Sequence, residues 1–273
     1  MRKEKFKESN IEPYWDLIKR IIEESDLVLE ILDARLIELS RNEEVEKLIK
    51  EVGRPVIFVI NKMDLVSKQK IKKQIKKLKD KGEVVFISSK NKYNKKILLS
   101  SIKKIFKRHG KSEEINPLKR KTKAEIVVGV LGYPNVGKSS VINLLSPKKK
   151  AIVSKKAGTT HGIHWIKATN EIKLIDSPGV IPLKEEDEIR YSLIGARNPE
   201  KIKNPEFIAE NIIKLFQKNS ESFYNVLIEN KTSEEILKEI SLKRRHLLKG
   251  DELDLDRTSK MIIRDWQQGK IRL

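Results

Sequence analysis

The strongest chemical signal in the chain is the segment Gly132-Tyr-Pro-Asn-Val-Gly-Lys-Ser139. It fits G-x-x-x-x-G-K-[ST], and it sits between a predicted strand and a predicted helix, the context in which that spacing has a mechanism. The glycines let the backbone curl so that its N–H groups point at phosphate oxygens, and the helix that follows adds the positive end of its dipole. In such a cradle Lys138 reaches the β- and γ-phosphates and the Ser139 hydroxyl ligates Mg²⁺. Asn135, Val136, Gly137 and Ser140 line the same loop.

Asp176-Ser-Pro-Gly179 closes an apolar run further on. At a strand end an aspartate can hold Mg²⁺ through water, and the Gly179 N–H can sense a γ-phosphate. Between the two motifs lies Ala157-Gly-Thr-Thr-His-Gly162. A threonine there ligates Mg²⁺ only when its loop closes over the γ-phosphate, which makes an order–disorder switch. Thr160 is the candidate and Thr159 the alternative; His161 and His164 are read as loop histidines without a chemical role.

Asn61-Lys-Met-Asp64 follows the apolar run 56–60. An ionised carboxylate accepts from two N–H groups at once, and guanine presents N1–H and N2–H₂ side by side where adenine does not. Asp64 therefore selects guanine, with the Lys62 stem over the base and Asn61 bracing the loop. Ser88, Ser89 and Lys90, after the next apolar run, complete the base pocket.

These motifs need a sheet edge to hold them. Short β-branched runs at 27–32, 56–60, 84–87, 126–131, near Ile152 and at 172–175 alternate with helical periodicity at 14–24, 42–52, 68–81, 95–108 and from Lys138. The fold class expected is α/β: a doubly wound, mostly parallel sheet covered on both faces, occupying residues 1–187. Residues 110–123 read as a linker. From 188 to 273 only helical periodicity remains, with N-caps expected at Asn204 and Ser233, so a small all-α domain should close the chain.

The chain has 273 residues and carries 59 Lys and Arg against 39 Asp and Glu, a formal charge of +20. Such an excess favours a polyanion bound in a salt-sensitive way. Aromatic residues make up only 5%, which argues against base stacking as the main contact. The absence of cysteine excludes disulfides, thiolate metal sites and thiol nucleophiles. With no run of about 18 apolar residues and no signal-peptide pattern at residues 1–8, the expected compartment is the cytoplasm.

The order of the motifs is inverted. In a Ras-like protein the phosphate loop comes first; here N-K-M-D and S-S-K precede it, and G-T-T and D-S-P-G follow it. Because domain termini often lie close together, a site built from loops at one sheet edge survives such a rewiring. The arrangement resembles the circularly permuted GTPases of the YlqF/YawG type. Asp33-Ala-Arg35 resembles that family's D-A-R-x-P element with Ile37 in place of the proline, and Lys249-Gly250 through Asp265-Trp266 and Gly269-Lys270 resembles its ending, with Asp251 where a second glycine is common.

The resemblance implies a GTP/GDP switch hydrolysing GTP in large-subunit assembly, with rRNA or a precursor of that subunit as partner and a monomer as the default. It also implies slow intrinsic hydrolysis, since Val180 stands where a water-orienting glutamine would be. Asn135 occupies the position that in similar GTPases ligates a K⁺ offsetting transition-state charge. Basic segments 68–81 and 95–108, with Lys243, Arg244, Arg245 and Lys249, are the candidates for RNA contact. Two other classes fit the same motifs: a GTPase with a protein or membrane effector, and a nucleotide-gated RNA-binding module with negligible hydrolysis.

Overall fold

The computed structural model describes residues 12–67, 71, 75–109, 126–146, 164–177, 188–215, 223–227 and 230–271. The chain divides into two compact units, Met1–Pro182 and Leu183–Leu273.

The first unit is built on a six-stranded sheet: β1 (Leu27–Asp33), β2 (Val56–Asn61), β3 (Glu83–Phe86), β4 (Ile126–Leu131), β5 (His164–Lys167) and β6 (Ile172–Asp176). Its order is β3-β2-β1-β4-β6-β5, and every pairing is parallel except β5 with β6. Each residue of β1 and β4 is buried, so both read in sequence as nearly unbroken apolar runs, as strands covered on two faces do. On one side of β1 the chain winds to β2 and β3; on the other it winds to β4 and β6. The crevice of such a sheet lies at the carboxyl ends of the strands where the winding reverses.

Helices α1 (Glu12–Glu23), α2 (Glu43–Val52), α3 (Lys95–His109) and α4 (Lys138–Leu145) cover this sheet. Asn42 caps α2 by accepting from the N–H groups of Glu44 and Val45, and Gly53 ends it in the left-handed conformation at φ 75°. One polar group sits where the pattern calls for an apolar one. Glu30, 1% exposed in the middle of β1, accepts from the Asn42 N–H through Oε1, while Oε2 is buried with no hydrogen-bond partner among the described residues. Burial, with help from Glu46, pushes its pKa up to about 8 against the pull of the Asn42 N–H, Arg41 and Lys81.

One sequence expectation changes in this unit, and three others fall wholly or partly outside the described residues. Within 68–81 the described residues hold a helical turn at Lys76–Lys79, while 68–70 and 72–74 lie outside them; Ile71, Ile75 and Leu78 are buried as their spacing requires. The strand expected near Ile152 lies outside the described residues, and His164, read as a loop residue, opens β5 at the sheet edge. The linker 110–123 also lies outside them.

The second unit comprises α5 (Glu188–Leu193), α6 (Pro205–Leu215), α7 (Ser233–Arg244) and α8 (Leu255–Gln267), with a 3₁₀ turn at Pro199–Lys201. Asn204 accepts from Phe207 N–H at 3.2 Å, the N-cap bond expected of it. The cap of α7 is Thr232 rather than Ser233: Thr232 and Glu235 exchange side-chain and backbone hydrogen bonds in a capping box. The D-W-x-x-G-K ending is tied into this unit. Trp266 is fully buried and its indole N–H donates to Leu193 O at 2.7 Å, while Asp265 accepts from Tyr224 OH and pairs with Lys270. Between α7 and α8 the chain turns back through a bridge of Leu247 with Leu253; Gly250 and Asp251 take φ of 91° and 61° there. An aspartate tolerates that left-handed position better than most side chains, so Asp251 suits the turn.

Candidate nucleotide site

Five loops leave the carboxyl ends of β1, β2, β3, β4 and β6, and each begins with residues singled out from the sequence. The loop after β4 reaches Gly132 at φ 142°, passes Asn135 at φ 62° and enters α4 through Gly137 at φ 104°. Side chains are excluded at both glycines. A Cβ on Gly132 would lie 2.6 Å from Ile31 O, and one on Gly137 would lie 2.2 Å from Asn61 Nδ2. The result is a concave run of backbone ending at a helix N-terminus, a shape that fits phosphate oxygens.

Lys138 lies inside this loop. Its ammonium donates to Gly132 O at 2.7 Å and Tyr133 O at 3.0 Å, which holds the amine across the loop where phosphates would sit. Burial pushes its pKa down to about 8, opposed by the charge of Asp176. Asp176, at the end of β6, is buried too; desolvation raises its carboxyl to about 6, with Lys138 and His164 pulling it back. Ser139 and Ser140 are half-buried at the start of α4, and Val136 is fully buried. A hydroxyl and a carboxylate at one end of a phosphate cradle fit a hard divalent cation that keeps its waters and takes its other ligands from phosphate. Among the described residues no group of three His, Cys, Asp or Glu could hold a metal alone.

The guanine-side residues meet the phosphate loop directly. Asn61 is 1% exposed; its Nδ2 donates to Val136 O at 3.0 Å and its Oδ1 accepts from Ser89 N–H at 3.1 Å. One amide therefore joins the loops after β2, β3 and β4. Asp64 sits in the 3₁₀ turn Met63–Leu65 and accepts from Ser88 Oγ at 2.7 Å, which orients its carboxylate. Ser88 Oγ also receives the Asn91 N–H, and Ser88 O receives that of Tyr93. Lys90 is exposed at the rim.

Lys62 takes the left-handed conformation at φ 65°, and its ammonium reaches Asp33 Oδ2 at 2.8 Å. Asp33 is fully buried and also accepts from the Arg35 N–H, Nε and Nη2. Despite desolvation, Arg35 and Lys62 together hold its carboxyl below the usual range. The sequence marks the Asp33-Ala-Arg35 turn but not its bond to Lys62. The two positions lie 29 residues apart and meet only because Asp33 pairs in register with Asn61. Thr159, Thr160, His161, Gly179 and Val180 lie outside the described residues.

Comparison with known proteins splits along the same seam as the motifs. Residues 127–244 match the family model described as 50S ribosome-binding GTPase, and residues 12–108 match the elongation factor Tu GTP binding domain. The chain is 41% identical over 95% of its length to an uncharacterised GTP-binding protein of Methanocaldococcus jannaschii, covering 66% of that protein. It is 32% identical over 94% of its length to nucleolar GTP-binding protein 2 of Pneumocystis carinii, covering 52% of it. The chain thus spans from about half to two thirds of these relatives. The GNP-bound YlqF from T. maritima has the same fold, with a TM-score of 0.68 at 21% identity over 95% of each chain.

Proposed function

This chain belongs to the circularly permuted GTP-binding proteins, and from that premise we propose a function for it. It is a GTP-hydrolysing switch in assembly of the large ribosomal subunit, which binds rRNA or a precursor of that subunit while GTP holds its loops closed. The single observation that carries the nucleotide half of this reading is the Asn61 bridge. Motifs in reversed chain order converge through one buried amide, so base recognition and phosphate recognition share a wall.

In this reading Asp64 pairs with the two guanine N–H groups, and Ser88 keeps its carboxylate turned to receive them. Lys62 packs its stem over the base, and Asn61, Ser89 and Lys90 complete the pocket. The backbone from Asn135 through Val136, Gly137 and Ser140 wraps the phosphates. Lys138 exchanges its two carbonyl partners for the β- and γ-phosphates, where it offsets charge developing at the transferred group. Ser139, Thr160 and, through water, Asp176 would hold Mg²⁺, and the Gly179 N–H would sense the γ-phosphate. Bound there, Mg²⁺ would supply charge neutralisation to the phosphates. Asn135 is the residue that would hold K⁺ beside them, and Val180 has no group to orient water, so turnover waits for the particle.

The ribosomal half rests on the nucleolar relative, on the 50S ribosome-binding family model and on the charge of +20. Exposed Lys103, Lys104, Lys107 and Arg108 on α3 are one candidate face for RNA, and exposed Lys243, Arg244, Arg245 and Lys249 are another. GTP turnover with Mg²⁺ in potassium against sodium buffer, with and without purified large subunits, tests the whole proposal. Stimulation by subunits is the expected result, and higher turnover in potassium assigns Asn135. Tight GTP binding without stimulation by either would leave a nucleotide-gated binding module or a different effector.

A further inference from the structure

The buried ion pair at the end of β1 has a task that the nucleotide motifs themselves do not state. Asp33 lies on the strand beside β2, in register with Asn61, and its carboxylate takes four hydrogen bonds: three from Arg35 and one from the Lys62 ammonium. Both cations face this carboxylate, and Lys62 also feels the charge of Asp64. Arg35, 3% exposed, already supplies three of the four hydrogen bonds to Asp33, so the Lys62 bond adds position as well as charge. The positional effect is geometric. Lys62 leaves the end of β2 at positive φ, and fixing its ammonium on β1 draws its stem from β2 toward β1, the strand next to the one that carries the phosphate loop.

We propose that Asp33 is a positioning residue for nucleotide binding: by anchoring the Lys62 ammonium from β1 it holds the lysine stem in the plane against which guanine stacks. This rests on the assignment of Lys62 and Asp64 to guanine recognition. A free lysine loses rotamer freedom when it packs on a ligand; one already held by Asp33 loses that freedom during folding instead, and binding becomes tighter by the same amount. Because the anchor lies on the base side, it acts on GDP and GTP alike. The chemistry is specific to an anion at that position, since an asparagine in its place would keep the shape but hold the ammonium only weakly.

The test is a double-mutant cycle on the full chain, read as equilibrium affinity for GDP and for a non-hydrolysable GTP analogue. Asp33→Asn is expected to weaken both by about tenfold, the order of one immobilised lysine side chain. In a Lys62→Met background, which keeps the stem but removes the ammonium, the same change is expected to do nothing further. A purely structural role for Asp33 would instead weaken binding in both backgrounds, and that result overturns the proposal, as does unchanged affinity in folded Asp33→Asn protein. Thermal unfolding reports whether each variant is folded. If Asp33→Asn is not, Asp33→Glu takes its place: it keeps both cations paired but displaces the anchor, so unchanged affinity there overturns the proposal too. Asp64→Asn run alongside separates the two levels. If it keeps full preference for guanine over xanthine nucleotides, the assignment of the base pocket itself fails, whatever Asp33 does.

Discussion

Glu30 is the residue at which local physics and fold pull hardest in opposite directions. A carboxyl in the middle of a fully buried strand is costly to ionise. It keeps one backbone donor, Asn42 N–H, and stays protonated to about pH 8, well above its ordinary 4.5. A group whose pKa is raised by folding stabilises the native state fully below its unfolded value and loses that contribution as pH climbs through the folded one. The window therefore runs from about 4.5 to about 8. Across it the wild-type protein should lose stability by up to about 1.4 kcal/mol per pH unit relative to Glu30→Gln, whose neutral amide does not titrate. Urea midpoints at pH 5, 6.5 and 8 check this; parallel curves for the two proteins would refute it. None of this is visible in the sequence, where Glu30 is only a charged residue inside the apolar run 27–32. The positions of Asp64, Lys138 and Asp176 are legible there, because each sits at a motif position next to a strand that its neighbours define.

Elements were legible in proportion to how much of their character is local. β4 is apolar from end to end and β1 nearly so, and the parallel sheet follows from burial on both faces. β5 has four residues, three of them exposed, on an edge; that is too short an alternation to separate from a loop. The cap of α7 was recoverable, since Thr232 has a glutamate three residues on and Ser233 has Ile236, so only threonine can close a capping box. Thr232→Ala should cost about 1 kcal/mol, read as a lower midpoint in thermal unfolding of the second unit. Ser233→Ala, by contrast, should leave that midpoint nearly unchanged, because its side chain is not the cap. The bond between Asp33 and Lys62 has no local signature at all. It exists because two strands distant in the chain lie in register, and a pattern read one segment at a time does not contain register.

For the whole molecule the charge is the property on which the proposed partner turns. If the +20 acts through phosphate contacts, affinity for large subunits should fall steeply with salt, since each contact on a duplex contributes about −0.9 to the slope of log K against log salt. Six such contacts correspond to a loss of about a thousandfold between 50 and 200 mM. Co-sedimentation across that range, in one nucleotide state, measures it; affinity that holds through 200 mM points to a protein-mediated contact. No helix among the described residues is long and apolar enough to cross a membrane.

The place of β1 in the sheet has a consequence for how the protein is made. It is the first strand of the sheet in chain order, yet it is central, and its partner on one side is β4: Val127 N–H bonds to Asp26, 101 residues earlier. At about 5–20 residues per second on the ribosome, that side of β1 waits on the order of 5 to 20 s for its neighbour. Three strands can assemble meanwhile, with the β1 edge left raw and largely apolar. A nascent chain in this state can bind no nucleotide, because the phosphate loop has not yet been synthesised, and GTP cannot stabilise it by mass action. Such a chain acquires its ligand only once the segment carrying the phosphate loop has emerged.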